Sequence, residues 1–192
     1  MAQLKAPERF ETERLVLRRP TAADAQEIYR RYASDREVTR YLSWPCHTAV
    51  DATSAFIQFS DAQWRDSAAG PYLIESRSGL LLGGTGLELE SAARATTGYV
   101  LARDAWGLGY ATEVLRAIID LARQLRVRQL QASCHIENTA SQRVLEKCGF
   151  ERKQPMVVRF PNLQPGEPGD AWLYELVVAF SGSWQTLDPN RR

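Results

Sequence analysis

The sequence predicts one α/β domain with a single core, and three observations carry that prediction. Runs of strand-like and helix-like period follow in the order strand, two helices, three strands, helix, strand, helix, two strands, the pattern of a mixed sheet with helices on its faces. No Pro-, Gly- or Ser-rich linker divides these runs, and no internal repeat or low-complexity tract interrupts them. The chain has 192 residues, 44% hydrophobic and 24% charged. At this size folding removes roughly 70% of the surface of the unfolded chain, so a core needs no disulfide or structural metal. The domain is expected over residues 1–180, with 181–192 a polar, loosely ordered tail in which Trp184 offers an apolar group for docking.

The N-terminal third opens with ERLVLRRP, where Leu15 and Leu17 sit among charged neighbours and the run ends at Pro20, as a short half-buried strand does. Thr21 followed by Asp24 forms a capping-box pattern, after which Ala25, Ile28, Tyr29 and Tyr32 recur at helical spacing. Ser34 with Glu37 marks a second short helix ending near Tyr41, and Trp44 and Pro45 in YLSWPCH then break the pattern. Thr48 with Asp51 starts a further helix carrying Ala55, Phe56 and Phe59 toward Trp64.

The period then changes. PYLIES, LLLGGTGLELE and TTGYVLA are short apolar or alternating runs separated by turn residues, which read as an antiparallel meander. From Gly109 to Leu125 the helical period returns, with Val114, Leu115, Ile118, Ile119, Leu121, Ala122 and Leu125 on one wide apolar face. RQLQASCHI reads as a strand, and NTASQRVLEKCGF as a helix with Asn138 as N-cap and Gly149 at its end. MVVRF and AWLYELVVAF are two more strands, and PNLQPGEPGD between them, with three Pro and two Gly, reads as an irregular loop.

Composition narrows the function. Twenty-four Lys and Arg against 23 Asp and Glu leave a formal charge of +1, so no bulk electrostatic attraction points to nucleic acid. Cys46, Cys134 and Cys148 show no C-x-x-C spacing, and His47 and His135 lie far apart, so neither a disulfide framework nor a metal site is expected. The opening residues hold no apolar signal segment, and no run approaches membrane-spanning length. A reduced, cytoplasmic protein without membrane contact is the expectation, as a monomer or a homodimer in which Trp172 or Trp184 serves the contact or the core.

The chemistry concentrates in YVLARDAWGLGYATEVL, where a strand passes through a glycine-containing turn into the strongest helix. Gly107 and Gly109 allow close backbone approach, and a helix start aims unpaired N–H groups in one direction, which favours an anion such as phosphate. The same two glycines equally suit a plain tight connection. A dinucleotide-binding motif needs a third glycine and an acidic residue about 20 positions on. Asp120 is too close and lies on the helix, and the strand meander before the turn also disfavours that fold.

W-G-L-G-Y-A, Trp106 to Ala111, resembles the phosphate loop Q/R-x-x-G-x-G/A of the GCN5-related N-acetyltransferase (GNAT) superfamily, with Trp in the first place. The block Asn138 to Phe150 is similar to N-x-x-S-x-x-(V/L)-x-x-x-x-G-F, and T-E-R-L-x-L-R opens at Thr12. Taken in chain order, from Thr12 through Trp106 to Asn138, the three blocks resemble in particular the branch containing the Rim-type ribosomal-protein N-terminal acetyltransferases. The resemblance spans roughly Glu11 to Phe180. It implies a single-domain GNAT fold: a mixed, mostly antiparallel central sheet flanked by helices, with a splayed strand pair at the cofactor site.

The resemblance further implies acetyl-CoA as cosubstrate, with no metal. The N–H groups of Trp106, Gly107, Leu108, Gly109, Tyr110, Ala111 and Thr112 would cradle its pyrophosphate, and Val100 and Leu101 would present unpaired backbone groups to the pantetheine and the thioester carbonyl. Asn138 would contact the cofactor, or act as an N-cap, or do both. A neutral primary amine would attack the acetyl carbon directly, with coenzyme A thiolate departing. Other branches place a Tyr beside the sulfur; Arg143 to Leu145 hold none, leaving Ser141 as candidate acid. Glu88 is the candidate base, with Glu75, His47 or a water chain as alternatives, and alternation leaves open whether Glu88 and Glu90 lie on a merely solvated face.

The acceptor groove implied by the family is bordered by YLSWPCH and PNLQPGEPGD, with Tyr41, Trp44 and His47 lining a pocket for an apolar or aromatic group, or with Trp44 packing at the core edge beside Pro45. Glu167 and Asp170 would lend negative charge suited to basic ribosomal proteins, offset by Arg152, Lys153 and Arg159. A protein N-terminus and a small-molecule amine both stay open as acceptor. The alternative reading is a catalytically weak acetyl-CoA sensor or interaction module.

Overall fold

A computed structural model describes residues 4–163 and 166–179; the expectations for the 181–192 tail and for Trp184 lie outside the described residues. The strands are β1 (Arg9–Glu11), β2 (Leu15–Arg18), β3 (Pro71–Ser76), β4 (Leu81–Leu89), β5 (Arg94–Leu101), β6 (Gln129–His135), β7 (Glu151–Arg159) and β8 (Pro168–Val177). The helices are α1 (Ala25–Ile28), α2 (Arg36–Thr39), α3 (Val50–Asp66), α4 (Tyr110–Gln124) and α5 (Thr139–Lys147). All eight strands form one sheet in the order β1-β2-β3-β4-β5-β6-β8-β7. Every pairing is antiparallel except β5 with β6. No described helix is long and apolar enough to cross a membrane.

That parallel pairing is short. Arg94, Ala95 and Thr96 pair with Gln129, Leu130 and Gln131, whereas β5 runs on to Leu101 and β6 to His135 without pairing each other. The two strands therefore splay into a wedge-shaped gap near the middle of the sheet. The helices hold both sides of it. Val114, Leu115, Ile118 and Ile119 of α4 and Leu145 of α5 are buried in one core layer with Leu15, Leu17, Ile74 and Leu82. Ile28, Tyr32, Val38 and Ile57 from the N-terminal helices pack with Leu73 and Leu81 in a second. Strand alternation divides the sheet between the layers: Leu73 and Leu81 face one, Ile74 and Leu82 the other.

Several boundaries differ from the sequence reading for identifiable reasons. The Thr21–Asp24 capping box forms, but on a 3-10 turn over Ala22–Asp24 that leads into α1. Helix α1 then widens into a π segment over Tyr29–Ala33, closed by Ser34 N–H donating to Tyr29 O. The cap of α2 is Asp35, which accepts from the N–H groups of Glu37 and Val38, while Ser34 Oγ is spent on Tyr29 O. Helix α3 starts after Ala49 without the side-chain cap expected from Thr48. Strand β1 leaves no signal in the sequence because its three residues carry too little alternation to register. Strand β8 starts at Pro168, so the last three residues of PNLQPGEPGD pair with β7 instead of remaining irregular.

Candidate active site

A cavity of about 590 Å3 opens through the splay and brings together Tyr41, Trp44, His47, Glu88, Val100, Asn138 and Ser141. Its position follows from the glycines of β4. A Cβ on Gly83 would lie 2.0 Å from Val100 O, and one on Gly84 would come within 3.2 Å of the Tyr32 hydroxyl, so the G-G-T-G run lets β5 and the π segment approach the strand closely.

At the start of α4, Gly107 and Gly109 have φ of +74° and +81°, a region that favours glycine, and Gly109 is the N-cap with no side-chain cap. Among the described residues no acceptor takes the N–H groups of Gly107 through Thr112. A Cβ on Gly107 would meet nothing within 4 Å, so the loop is an open cradle of donors at a positive helix end. These features fit a pyrophosphate. Trp106 departs from the expectation: its N–H donates to Arg103 O at 3.2 Å and its indole to Leu101 O at 2.8 Å, so it braces the loop and adds no free donor. The loop lies outside the cavity lining, which α4 enters one turn further on at Leu115.

Strand β5 offers main-chain groups to the gap, although not all those expected. Ala102 N–H donates to Leu82 O, so alternation directs the main chain of Val100 toward β4, where it pairs with Gly84, and that of Tyr99 and Leu101 toward the gap. Leu101 O already receives the Trp106 indole, which leaves Leu101 N–H and both groups of Tyr99 facing the wedge. Val100 lines the cavity through its side chain, and its expected backbone role passes to its neighbours.

Across the gap, Asn138 Oδ1 caps α5 by accepting from Ser141 N–H at 3.2 Å. The cavity lining also includes Asn138, so the cap and a place in the site coexist. Ser141 Oγ accepts a 3.2 Å hydrogen bond from the Tyr99 hydroxyl. Sequence reasoning missed this tyrosine. Burial pushes its pKa up to about 12, against a lowering by Ser141, so it stays protonated and able to donate at neutral pH.

The candidate bases separate. Glu75 accepts from Arg18 Nε at 2.9 Å and Nη2 at 2.6 Å, is absent from the lining, and so belongs to an ion-pair network with Asp24. Glu88 is exposed yet lines the cavity, with Leu87 buried behind it. His47 Nδ1 lies 2.7 Å from the buried Thr53 Oγ1, and burial lowers its pKa, so its ring is neutral at pH 7.

The outer wall is held by a residue that carries no signal of its own in the sequence. Asn162 accepts from Cys46 N–H and donates to the carbonyls of Thr39 and Trp44, stitching the β7–β8 connection to the YLSWPCH loop. Tyr41 stacks on His135 at 5.0 Å, and His135 meets Phe160 edge-on at 4.8 Å. Trp44 both packs on the second core layer and lines the cavity. Glu167 and Asp170 are exposed and outside the lining, so the acidic contribution expected from them is not part of this wall. No group of three or more potential metal ligands converges among the described residues.

Comparison with known proteins supplies independent findings. The model of the Acetyltransferase (GNAT) domain matches residues 14–151. YoaA of Bacillus subtilis (strain 168), an uncharacterized N-acetyltransferase, is 30% identical over 172 residues, covering 88% of this chain and 96% of its own. The ribosomal L7/L12 alpha-N-protein acetyltransferase RimL, solved with coenzyme A, superposes with a TM-score of 0.75 at 20% identity, over 90% of this chain and 97% of that one. A spermidine N-acetyltransferase of Vibrio cholerae, solved with CoA and spermine, gives 0.74 at 18% identity, over 87% and 97%. At such identities the structural matches speak for the fold.

Proposed function

Because the chain belongs to the acetyltransferase (GNAT) domain family, we propose that it transfers the acetyl group of acetyl-CoA to a primary amine by direct attack in a ternary complex. The observation that carries this reading is the cradle of unpartnered N–H groups at the start of α4 beside a strand splay that leaves β5 main-chain groups unpaired. Acetyl-CoA supplies an acyl group activated as a thioester. The N–H groups of Gly107 through Thr112 hold its pyrophosphate, with the positive end of α4 adding attraction. Tyr99 and Leu101 offer their gap-facing main-chain groups to the pantetheine, and Leu101 N–H is the donor suited to polarise the thioester oxygen.

On the far side of the gap Ser141 donates to the departing thiolate, oriented by the Tyr99 hydroxyl, and Asn138 contacts the cofactor as well as capping α5. An incoming ammonium must lose a proton before attack. Glu88 and the neutral ring of His47 both line the cavity and are the two acceptors for it. The acceptor is a small-molecule amine or a protein N-terminus, of the kind the name of RimL describes.

Calorimetric titration with acetyl-CoA, coenzyme A and NAD tests this reading. Binding of the two coenzyme A species, and not of NAD, is expected, and failure of both coenzyme A species to bind overturns it. Binding without thiol release against any amine would favour a sensor. Gly109→Asp should abolish coenzyme binding, because it puts a side chain at φ +81° and a carboxylate at the phosphate cradle. Undiminished affinity in a folded variant would show that the loop is only a turn.

A further inference from the structure

We propose that the acceptor is a small primary monoamine bearing an aralkyl group, seated with its ring against an aromatic wall and its amine toward Glu88; this rests on the acetyltransferase reading above. The first support is the wall's composition. Tyr41, Trp44, Phe56, Phe59 and Phe160 all line the cavity, and Phe59 is 57% exposed, unusual for a phenylalanine without a partner.

The second support is charge. Among the described residues the lining holds one carboxylate, Glu88, one histidine, His47, and no Lys or Arg. One carboxylate matches one ammonium. A polyamine would bring further ammonium groups to a surface with no second anion to receive them, and an amino acid or a phosphorylated amine would bring an anion to a site with no cation. Glu88 therefore selects a monocation without another charge.

The third support is that part of the polar lining, on β4, β5 and the loop before α3, is already spent. Thr85 Oγ1 donates to Gly98 O and Thr97 Oγ1 to Gly86 O, both at 2.8 Å; Thr96 Oγ1 donates to Glu90, and His47 is paired with Thr53. A hydrocarbon group asks no polar partner of these residues. Asn162 and the Tyr41–His135–Phe160 stack fix the wall in place, so little ordering is left to oppose binding.

The test is steady-state thiol release from acetyl-CoA with phenethylamine, spermidine, glutamate and a tetrapeptide with a free serine N-terminus as acceptors. Phenethylamine is expected to show kcat/KM higher by about tenfold or more than each of the others. Phe59→Ala, at an exposed site, should raise the KM for phenethylamine several-fold and leave the KM for acetyl-CoA unmoved. A kcat/KM for spermidine, glutamate or the peptide equal to that of phenethylamine overturns the inference. So does absence of phenethylamine turnover by protein that binds acetyl-CoA in the calorimeter. Protein that binds no acetyl-CoA instead overturns the acetyltransferase reading itself.

Discussion

Tyr99 is the residue on which the proposed chemistry of the gap turns. Its hydroxyl lies 3.2 Å from Ser141 Oγ, and burial keeps it protonated, so the serine hydroxyl is free to point its own proton into the gap. Tyr99→Phe removes the donor and retains the ring. The expected outcome is a kcat lower by about tenfold to a hundredfold, as for loss of a general-acid contribution, with acetyl-CoA affinity within about twofold. Stopped-flow thiol release with calorimetry separates the two, and an unchanged kcat would remove Tyr99 and Ser141 from proton delivery. The family resemblance places such a tyrosine on α5, where Arg143 to Leu145 hold none. Nothing local in T-T-G-Y-V-L says that its tyrosine faces α5, because that follows from the β5–β6 splay, a non-local feature. Ser141, Asn138 and the glycines were legible because their spacing is itself the signal.

Two sequence blocks far apart meet as one structural element. Glu113, in the first turn of α4, accepts from Thr12 Oγ1 at 2.5 Å, from Arg14 N–H at 2.9 Å and from Arg14 Nε at 2.7 Å, while Arg14 Nη1 donates to Leu108 O at 3.0 Å. The Arg14 guanidinium also lies 4.6 Å from the centre of the Tyr110 ring. T-E-R thus clamps the turn that precedes β2 onto the glycine loop at the start of α4. Each block was readable alone; their joining was not, since no pattern within either names the other. Glu113→Ala strands these donors at a partly exposed site and should cost about 1–2 kcal/mol in urea denaturation. Arg14→Ala should weaken acetyl-CoA binding by loosening Leu108, measured by calorimetry, with NMR chemical-shift changes confined to the loop and the start of α4. Unaltered affinity would make the clamp a matter of stability alone. At the same scale, the amphipathic period announced α4 and α5, whereas β1 and the π segment depend on a neighbouring strand and on Ser34.

For the whole molecule, the ionisable groups confine stability to a window of pH. Burial raises the Asp24 carboxyl, but hydrogen bonds from Arg18 and Thr21 outweigh it and hold its pKa below the ordinary 3.8. Burial likewise acts against Glu113, where Thr12 and Arg14 prevail, and the hydrogen bond from Arg103 lowers Asp35. A carboxyl lowered in the fold binds protons more readily when unfolded, so its stabilisation is present above the ordinary carboxylate range and is lost as pH falls through the lowered value. His47, lowered by burial, acts in the same sense from nearer its ordinary 6.5. On the alkaline side the sign reverses: burial raises Tyr99 to about 12 and Cys134 to about 11, so the unfolded chain releases those protons first and stability falls as pH rises past their ordinary values of 10.0 and 9.0. The urea midpoint should therefore stay nearly level between about pH 7 and about pH 8.5, decline gently toward pH 5, and drop steeply below about pH 4. Asp24→Asn should flatten part of the acid limb, because one of the lowered carboxyls is gone, and leave the alkaline limb as it was. A midpoint that rises below pH 5 would contradict the carboxylate pairing of Arg18 with Asp24, and with it the network that ties β2 and β3 to the N-terminal helices on the acceptor side of the cavity.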